Sequence, residues 1–168
     1  MLLWLVGLMI VINSSPAINL GRALGTLEVV AELYGRVVVP LEVMQEIEAG
    51  GNKDATADLL RGCSAIEVRG QRVATPGWLA HELDRGEAAV IQTALAEGIL
   101  TVILDDLKAR RAARLAGLEV TGSLGILVFS KQMGKLLSVR EAIERMKAAG
   151  AWLSEPVIER ALKLAGED

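Results

Sequence analysis

The sequence predicts an α/β protein built around a doubly wound parallel sheet. Residues 8–12 and 99–104 are continuous apolar segments, which are typical of strands buried on both faces of a parallel sheet. Segments with helical periodicity separate these and the other predicted strands, and such alternation favours a sheet covered by helices. At 168 residues, 52% of them hydrophobic, the chain is long enough for one domain with a sizeable core.

The first half of the chain is divided into elements by proline and glycine. After the first strand, a helical segment is broken near Gly25, and Pro40 ends the second strand. A glycine pair ends one helix, and Asp54 is placed to cap the next. The elements predicted after the first strand are a helical segment at 17–34, a strand at 36–40, helices at 41–49 and 54–61, and a strand at 65–69.

In the second half, Asp84 begins a helix that extends to about Glu97. Glu87 stands three residues after Asp84, which is the spacing of a capping box. The strand at 99–104 follows, and then a helix that Gly117 ends. The later elements are this helix at 107–116, a strand at 118–121, and helices over 124–166 with breaks at Gly134, Gly150 and 154–156.

The apolar N-terminus does not fit an export signal or a membrane span. Its first twelve residues carry no positive charge and no small-residue cleavage site, and they fall short of the roughly 20 residues that span a bilayer. We therefore expect no membrane partner, and Met9 is an alternative start of the chain. The lone Cys63 excludes an intramolecular disulfide, which is consistent with a cytoplasmic location.

Charge is distributed unevenly along the chain. Residues 105–150 carry nine Lys and Arg against five Asp and Glu, a net charge of +4, whereas the remaining residues carry −7. A basic surface beside an acidic pocket is typical of an enzyme that acts on a polyanion through a bound metal. The alternative is that these cations form the solvated face of a short helix. Both interpretations remain open.

Polar residues follow two of the predicted strands. Asn13 ends the first strand, and Asp105 and Asp106 end the fourth. Because the first strand is usually central in such sheets, we expect the two strand ends to be neighbours at the point where the strand order reverses. Glu46, on the helix after the second strand, and Glu87, in the first turn of its helix, add two more carboxylates.

Oxygen donors from four elements are suited to a hard cation such as Mg²⁺. This ion takes a couple of protein carboxylates and completes its octahedron with water and substrate phosphates. Such a site can activate a water molecule and hold a scissile phosphate. Each residue also has a structural explanation: Glu87 as capping-box partner, Asp106 as helix cap, Asn13 as the start of a turn, and Glu46 as a solvated helix residue.

Four sequence blocks together resemble the PIN-domain nucleases, and within them a toxin-like branch once catalogued as a domain of unknown function. The blocks are VINSSPAINL, LYGRVVVPLEVMQEI, LDRGEAAVIQTALAEG and LDDLKARRAARLAGLEVTGSLGIL. They span roughly residues 9–135, and the segment KQMGKLLSVREAIERMKAAGAWLS is also similar to that branch. Together the four blocks are fairly specific for this family, whereas any one of them alone would be weak support for the resemblance.

The resemblance implies a single three-layer PIN-like domain, with a mostly parallel sheet of about four to five strands and helices on both faces. The core covers about residues 9–135, and extra C-terminal helices cover about 136–168. The implied activity is that of an endoribonuclease, dependent on Mg²⁺ or Mn²⁺, that cuts RNA with metal-activated water. The implied role is the toxin of a toxin–antitoxin pair, neutralised by a small antitoxin protein. The apolar C-terminal helices either cap the domain or form a homodimer.

Mapped onto this sequence, the resemblance assigns metal ligation to Asn13, Glu87 and Asp105, with Asp106 as an orienting or additional ligand. The resemblance assigns catalytic roles to Glu46, Glu87, Asp105 and Asp106. Residues that line the cleft are Ser15, Arg110 and Thr121. Asn13 departs from the family pattern, which has Asp there: its amide oxygen can bind Mg²⁺ but brings no charge and accepts no proton from water.

Two other functions remain possible from the sequence. Asn13 would weaken catalysis, which leaves a PIN-like RNA-binding or assembly module as one alternative. A different doubly wound protein, such as a phosphoryl-transfer or receiver-like domain, is less compatible because we find no glycine-rich phosphate loop. Trp4, Trp78 and Trp152 could stack on bases, but we expect them in the core or at an interface.

Overall fold

The computed structural model describes residues 8–50, 55–70 and 76–168, and in them a five-stranded sheet is flanked by helices. Every strand pair is parallel, and the spatial order is β3-β2-β1-β4-β5. This confirms the predicted α/β class and the central position of the first strand. The strands are β1 (Met9–Ile12), β2 (Arg36–Val39), β3 (Ile66–Val68), β4 (Thr101–Ile103) and β5 (Glu119–Thr121).

Ten helices lie in the described part of the chain. The helical segment predicted at 17–34 is two helices separated by Gly25, which adopts the left-handed conformation with φ of 69°. One short helix, α5, was not predicted, and Asp54, the predicted cap, lies outside the described residues. The helices are α1 (Ser14–Leu24), α2 (Glu28–Tyr34), α3 (Leu41–Ala49), α4 (Thr56–Gly62), α5 (Gly77–Ala80), α6 (Arg85–Glu97), α7 (Leu107–Leu115), α8 (Ser123–Gln132), α9 (Val139–Ala148) and α10 (Glu155–Leu164).

The three central strands form the middle of the hydrophobic core. Most of their residues are aliphatic and fully buried, which is why their sequences are continuous apolar segments without alternation. Helix α6 packs against β1 and β4, and α1 packs against α3, α8 and α9. None of the helices in the described ranges is both long and apolar enough to cross a membrane.

The strand order reverses at β1, so the carboxyl ends of β1 and β4 lie side by side. Ile12 pairs with Ile103, and the next backbone N–H, that of Asn13, donates to the carbonyl of Ile103 at 3.2 Å. Two helices begin near this edge with side-chain caps. Asp84 and Glu87 form the predicted capping box of α6, and Asp106 caps α7. We call the edge where the strand order reverses, between β1 and β4, the switch point. The N-termini of α6 and α7 therefore bring acidic side chains to the switch point.

The C-terminal helices are tied to the rest of the domain through Glu167. Its carboxylate accepts hydrogen bonds from Lys131 Nζ at 2.6 Å, from Ser138 Oγ, and from the backbone N–H groups of Val139 and Arg140. Burial alone would raise the pKa of Glu167, but these hydrogen bonds outweigh burial and lower the pKa to about 2. Glu167 thus links the end of α10 to α8 and to the start of α9.

We predict that Glu167→Gln lowers the free energy of unfolding at neutral pH by roughly 1–3 kcal/mol, because it removes charge-assisted hydrogen bonds. A carboxylate whose pKa is lowered by folding stabilises the protein above its unfolded pKa of 4.5, and this stabilisation is lost as pH falls towards about 2. Urea unfolding across this pH range should show that the difference in the free energy of unfolding between the unmodified protein and Glu167→Gln becomes smaller as the pH falls. Glu159→Gln, an exposed change on α10, is the control; an equal loss in the control would contradict the assignment.

Candidate functional site

Asn13 lies at the centre of the switch point with an unsatisfied side chain. It is 4% exposed, and its Oδ1 has no hydrogen-bond partner in the part of the chain that the structure describes. Asn13 is the N-cap of α1, but its side chain makes none of the usual capping bonds. A buried acceptor without a partner costs about 1–3 kcal/mol, so this oxygen is free to accept a donor or a cation.

Glu46 reaches the same region from α3. Its Oε2 accepts a hydrogen bond from Ser14 Oγ at 2.9 Å, and its carboxylate lies against the first turn of α6. A Cβ atom on Gly86 would stand 2.5 and 2.6 Å from the two Glu46 oxygens, so any larger residue there would make the carboxylate shift. Burial raises the pKa of Glu46, and the charge of Asp84 raises it further against the opposing hydrogen bond from Ser14.

Glu87 is the most buried carboxylate of this group, at 8% exposed. Its Oε2 accepts from the Asp84 N–H at 3.1 Å, which completes the capping box. Burial raises the pKa of Glu87, and the negative charges of Asp84, Asp106 and Glu46 raise it further, while the bond from the Asp84 N–H opposes them. These acids, from three parts of the chain, therefore lie near enough for their charges to act on one another. We call Glu46, Asp84, Glu87 and Asp106 the acidic pocket.

The adjacent residues Asp105 and Asp106 have different surroundings. Asp106 Oδ1 accepts from the N–H groups of Lys108 at 2.8 Å and Ala109 at 3.0 Å, and Oδ2 makes no hydrogen bond to any described residue. Both oxygens of Asp105 are occupied: Oδ1 accepts from the Ser123 N–H at 2.7 Å, and Oδ2 accepts from Ser123 Oγ and from Asn19 Nδ2. The structure thus brings Asp106 into the acidic pocket and uses Asp105 to hold α1 and α8 at the edge of the sheet.

The three residues expected to line the cleft are placed differently from one another. Ser15 is exposed in the first turn of α1. Arg110 is half-buried and donates to the Leu104 carbonyl at 2.7 Å, and burial lowers the pKa of its guanidinium. Thr121 Oγ1 lies 2.5 Å from where a Cβ on Gly125 would stand, so it faces the first turn of α8. Arg110 and Thr121 therefore help to pack the end of β4 and the start of α8.

Several residues of the site were not predicted as part of it. Ser14, Asn19 and Ser123 position carboxylates through contacts between residues far apart in sequence, and no local pattern marks such contacts. Gly86 offers one usable signal, because glycine is unfavourable inside a helix and often marks a close approach. Asp84 was predicted as a cap, but its charge acting on Glu46 and Glu87 was not foreseen.

The two tryptophans that the structure describes are not in the core. Trp78 is 59% exposed and Trp152 is 86% exposed, while Trp4 lies outside the described residues. Of the two positions expected, core or interface, the core is thus excluded for Trp78 and Trp152, and an interface position stays a prediction.

The donor set fits a hard, oxygen-preferring cation with few protein ligands. Across residues 8–50, 55–70 and 76–168, no three His, Cys, Asp or Glu side chains alone converge to hold a metal ion. However, Asn13 Oδ1 is a buried oxygen without a partner, Asp106 Oδ2 is unbonded, and Glu46 and Glu87 have raised pKa values. Mg²⁺ usually keeps several waters and needs only a few protein oxygens, so these side chains are its candidate ligands.

Comparison with known proteins identifies the family. Neither a curated protein nor a solved structure matches the chain significantly. The family model DUF3368, described as a PIN domain, matches residues 9–167, a range that contains all five strands and all ten helices described above. PIN domains are generally nucleases that bind RNA and use divalent metal ions. The chain therefore belongs to the PIN-domain family DUF3368.

Proposed function

We propose that this protein is an endoribonuclease dependent on Mg²⁺ or Mn²⁺, with Asn13, Glu87 and Asp106 as ligands and Glu46 as an assisting carboxylate. The observation that carries the proposal is the repulsion among the acids of the pocket beside the unpartnered Asn13 Oδ1. A bound cation would relieve both costs at once. Asp105 is a positioning residue in this proposal, because its three hydrogen bonds hold the end of β4 against α1 and α8.

When bound, the cation supplies a more acidic water and neutralises charge on the phosphate. Burial raises the pKa of Glu46, which is not one of the proposed ligands, so Glu46 is a better proton acceptor than a solvated glutamate. In hydrolysis, the water oxygen forms a bond to phosphorus, its proton passes to a carboxylate, and the bond to the leaving ribose oxygen breaks. Ser14 fixes the Glu46 carboxylate, and the capping box fixes Glu87, so neither needs to reorient.

We further propose that the biological role is that of a toxin in a toxin–antitoxin pair. The toxin-like branch that the sequence blocks resemble supports this role, with a small antitoxin protein as partner. The same proposal includes a cytoplasmic homodimer, with the apolar C-terminal helices as the candidate interface.

A second function is an RNA-binding or assembly module without cleavage. Two observations favour it: Asn13 brings no negative charge, and the described carboxylates do not by themselves form a complete set of metal ligands. Under this alternative, the protein binds RNA but does not cleave it in the presence of any divalent metal ion.

We predict that Glu46→Gln and Glu87→Gln each lower metal-dependent RNA cleavage by about 100-fold or more, because an amide at position 46 accepts no proton and an amide at position 87 brings no charge to the cation. Gln at the third helical position still supports a capping box, so Glu87→Gln should remain folded. The measurement is cleavage of a labelled RNA pool in Mg²⁺, Mn²⁺ or EDTA, with folding checked by circular dichroism.

Glu48→Gln is the matched control for these variants, because Glu48 lies on α3 like Glu46 but is exposed and paired with Arg61. It should cleave RNA like the unmodified protein. Full cleavage in both Glu46→Gln and Glu87→Gln would rule out the proposed site. RNA binding without cleavage in any metal would favour the second function.

We predict opposite effects for the two adjacent aspartates. Asp106→Asn should keep the helix cap, since Asn caps as well as Asp, and leave the free energy of unfolding within about 0.5 kcal/mol while cleavage falls at least tenfold. Asp105→Asn should cost about 1–3 kcal/mol of stability, because an amide replaces a carboxylate that accepts three hydrogen bonds. Urea unfolding and cleavage rates measured on both variants would reveal the reverse pattern if Asp105 is the ligand.

A further inference from the structure

A groove lies between α5 and α7, beside the N-terminus of α6. It encloses about 650 Å³, within the range of small-ligand sites. One face of α7 forms its wall, because the lining residues Lys108, Arg111, Ala112 and Leu115 follow the i, i+3, i+4, i+7 spacing of a helix face. Trp78 and the segment up to Leu83 form the opposite wall. We call this the α5–α7 groove.

Trp78 presents an aromatic ring to this groove while remaining 59% exposed. Leu115, across the groove, is 81% exposed. Large apolar side chains left in contact with water and collected at one concavity indicate a binding surface. An indole ring in such a place offers a stacking face to a planar ligand.

The two cationic side chains that line the groove, Lys108 and Arg111, are not paired with acidic side chains of the described residues. Lys108 and Arg111 form no salt bridge with any described residue, although other cations, including Arg69, Lys131 and Lys135, are paired. Glu82 is the single carboxylate among the lining residues that the structure describes, so positive charge predominates there. Two unpaired cations beside an exposed aromatic ring are complementary to a phosphate next to a base.

The groove is joined to the acidic pocket through short stretches of chain. Leu83 lines the groove and directly precedes Asp84, the cap of α6. Lys108 also lines the groove and follows Asp106, the cap of α7, by two residues. A strand of nucleic acid whose scissile phosphate lies at the acidic pocket would therefore have the groove beside it.

We propose that the α5–α7 groove binds a nucleotide of single-stranded RNA beside the cleavage site, with the base stacked on Trp78 and its phosphate beside Lys108 and Arg111. This rests on the proposed nuclease function. A single strand is required because only unpaired bases can turn out and stack on a side chain. A protein partner is less well matched, because a purely apolar docking face would not place unpaired cations on the same helix face as Leu115.

The test is fluorescence anisotropy of a short, unstructured, labelled RNA in EDTA, so that cleavage does not interfere. Trp78→Ala should weaken binding roughly five- to 100-fold, and Trp78→Phe should restore most of it because the phenyl ring still stacks. Arg111→Ala should lower the slope of log affinity against log salt by about 0.7. Duplex RNA of the same sequence should show no Trp78 dependence.

Trp152→Ala is the matched control, since Trp152 is also exposed but lies between α9 and α10. Arg160→Ala on α10 is the corresponding control for charge. Equal affinities for Trp78→Ala and Trp152→Ala would overturn the proposal. Absence of RNA binding by the unmodified protein would also overturn it and favour a protein partner. Trp78-dependent binding without any cleavage in Mg²⁺ or Mn²⁺ would support the groove while contradicting the nuclease function.

Discussion

The parallel pairing of β1 with β4 is the constraint on which the site depends. It places Asn13 against the carbonyl of Ile103 and fixes the direction in which α1 leaves the sheet. Because side chains alternate along a strand, a shift of one residue in this register would reverse every buried side chain of β1. The fully buried aliphatic residues of both strands prevent such a shift. The hydrophobic core thus determines where the polar atoms of the site lie.

The pocket concentrates negative charge at a cost that the fold offsets only in part. Burial raises the pKa values of Glu46 and Glu87, and their mutual repulsion adds to the cost. Ser14 and the backbone N–H of Asp84 each supply one hydrogen bond. The remaining cost is consistent with a site adapted to a cation, as in other PIN domains. The unpaired cations of α7 then lie where the phosphates of a polyanion would extend beyond the pocket.

Most of the fold was predictable because its signals are local. Continuous apolar segments predicted β1 and β4, shorter segments predicted the other three strands, and the capping box at Asp84 marked the start of α6. The site was less predictable than the fold: strand order placed Asn13 beside the end of β4, but the sequence favoured Asp105 over Asp106 as a ligand without any sign that Asp105 accepts hydrogen bonds from α1 and α8. Neighbouring residues on extended backbone point in different directions, and their partners, such as Asn19 and Ser123, lie far away in sequence. The exposure of Trp78 depends on packing that composition does not reveal.

The function proposed for this protein requires the oxygens around Asn13 to form a divalent-cation site. Calorimetric titration of the protein with Mn²⁺ measures whether they do. The unmodified protein should bind Mn²⁺, and Asn13→Asp should bind it at least tenfold more tightly, because a carboxylate adds charge to a ligand position. Without metal, Asn13→Asp should be less stable, since a further buried charge joins the repelling acids. If neither protein bound Mn²⁺, or if both bound it with the same affinity, Asn13 would not be part of a cation site.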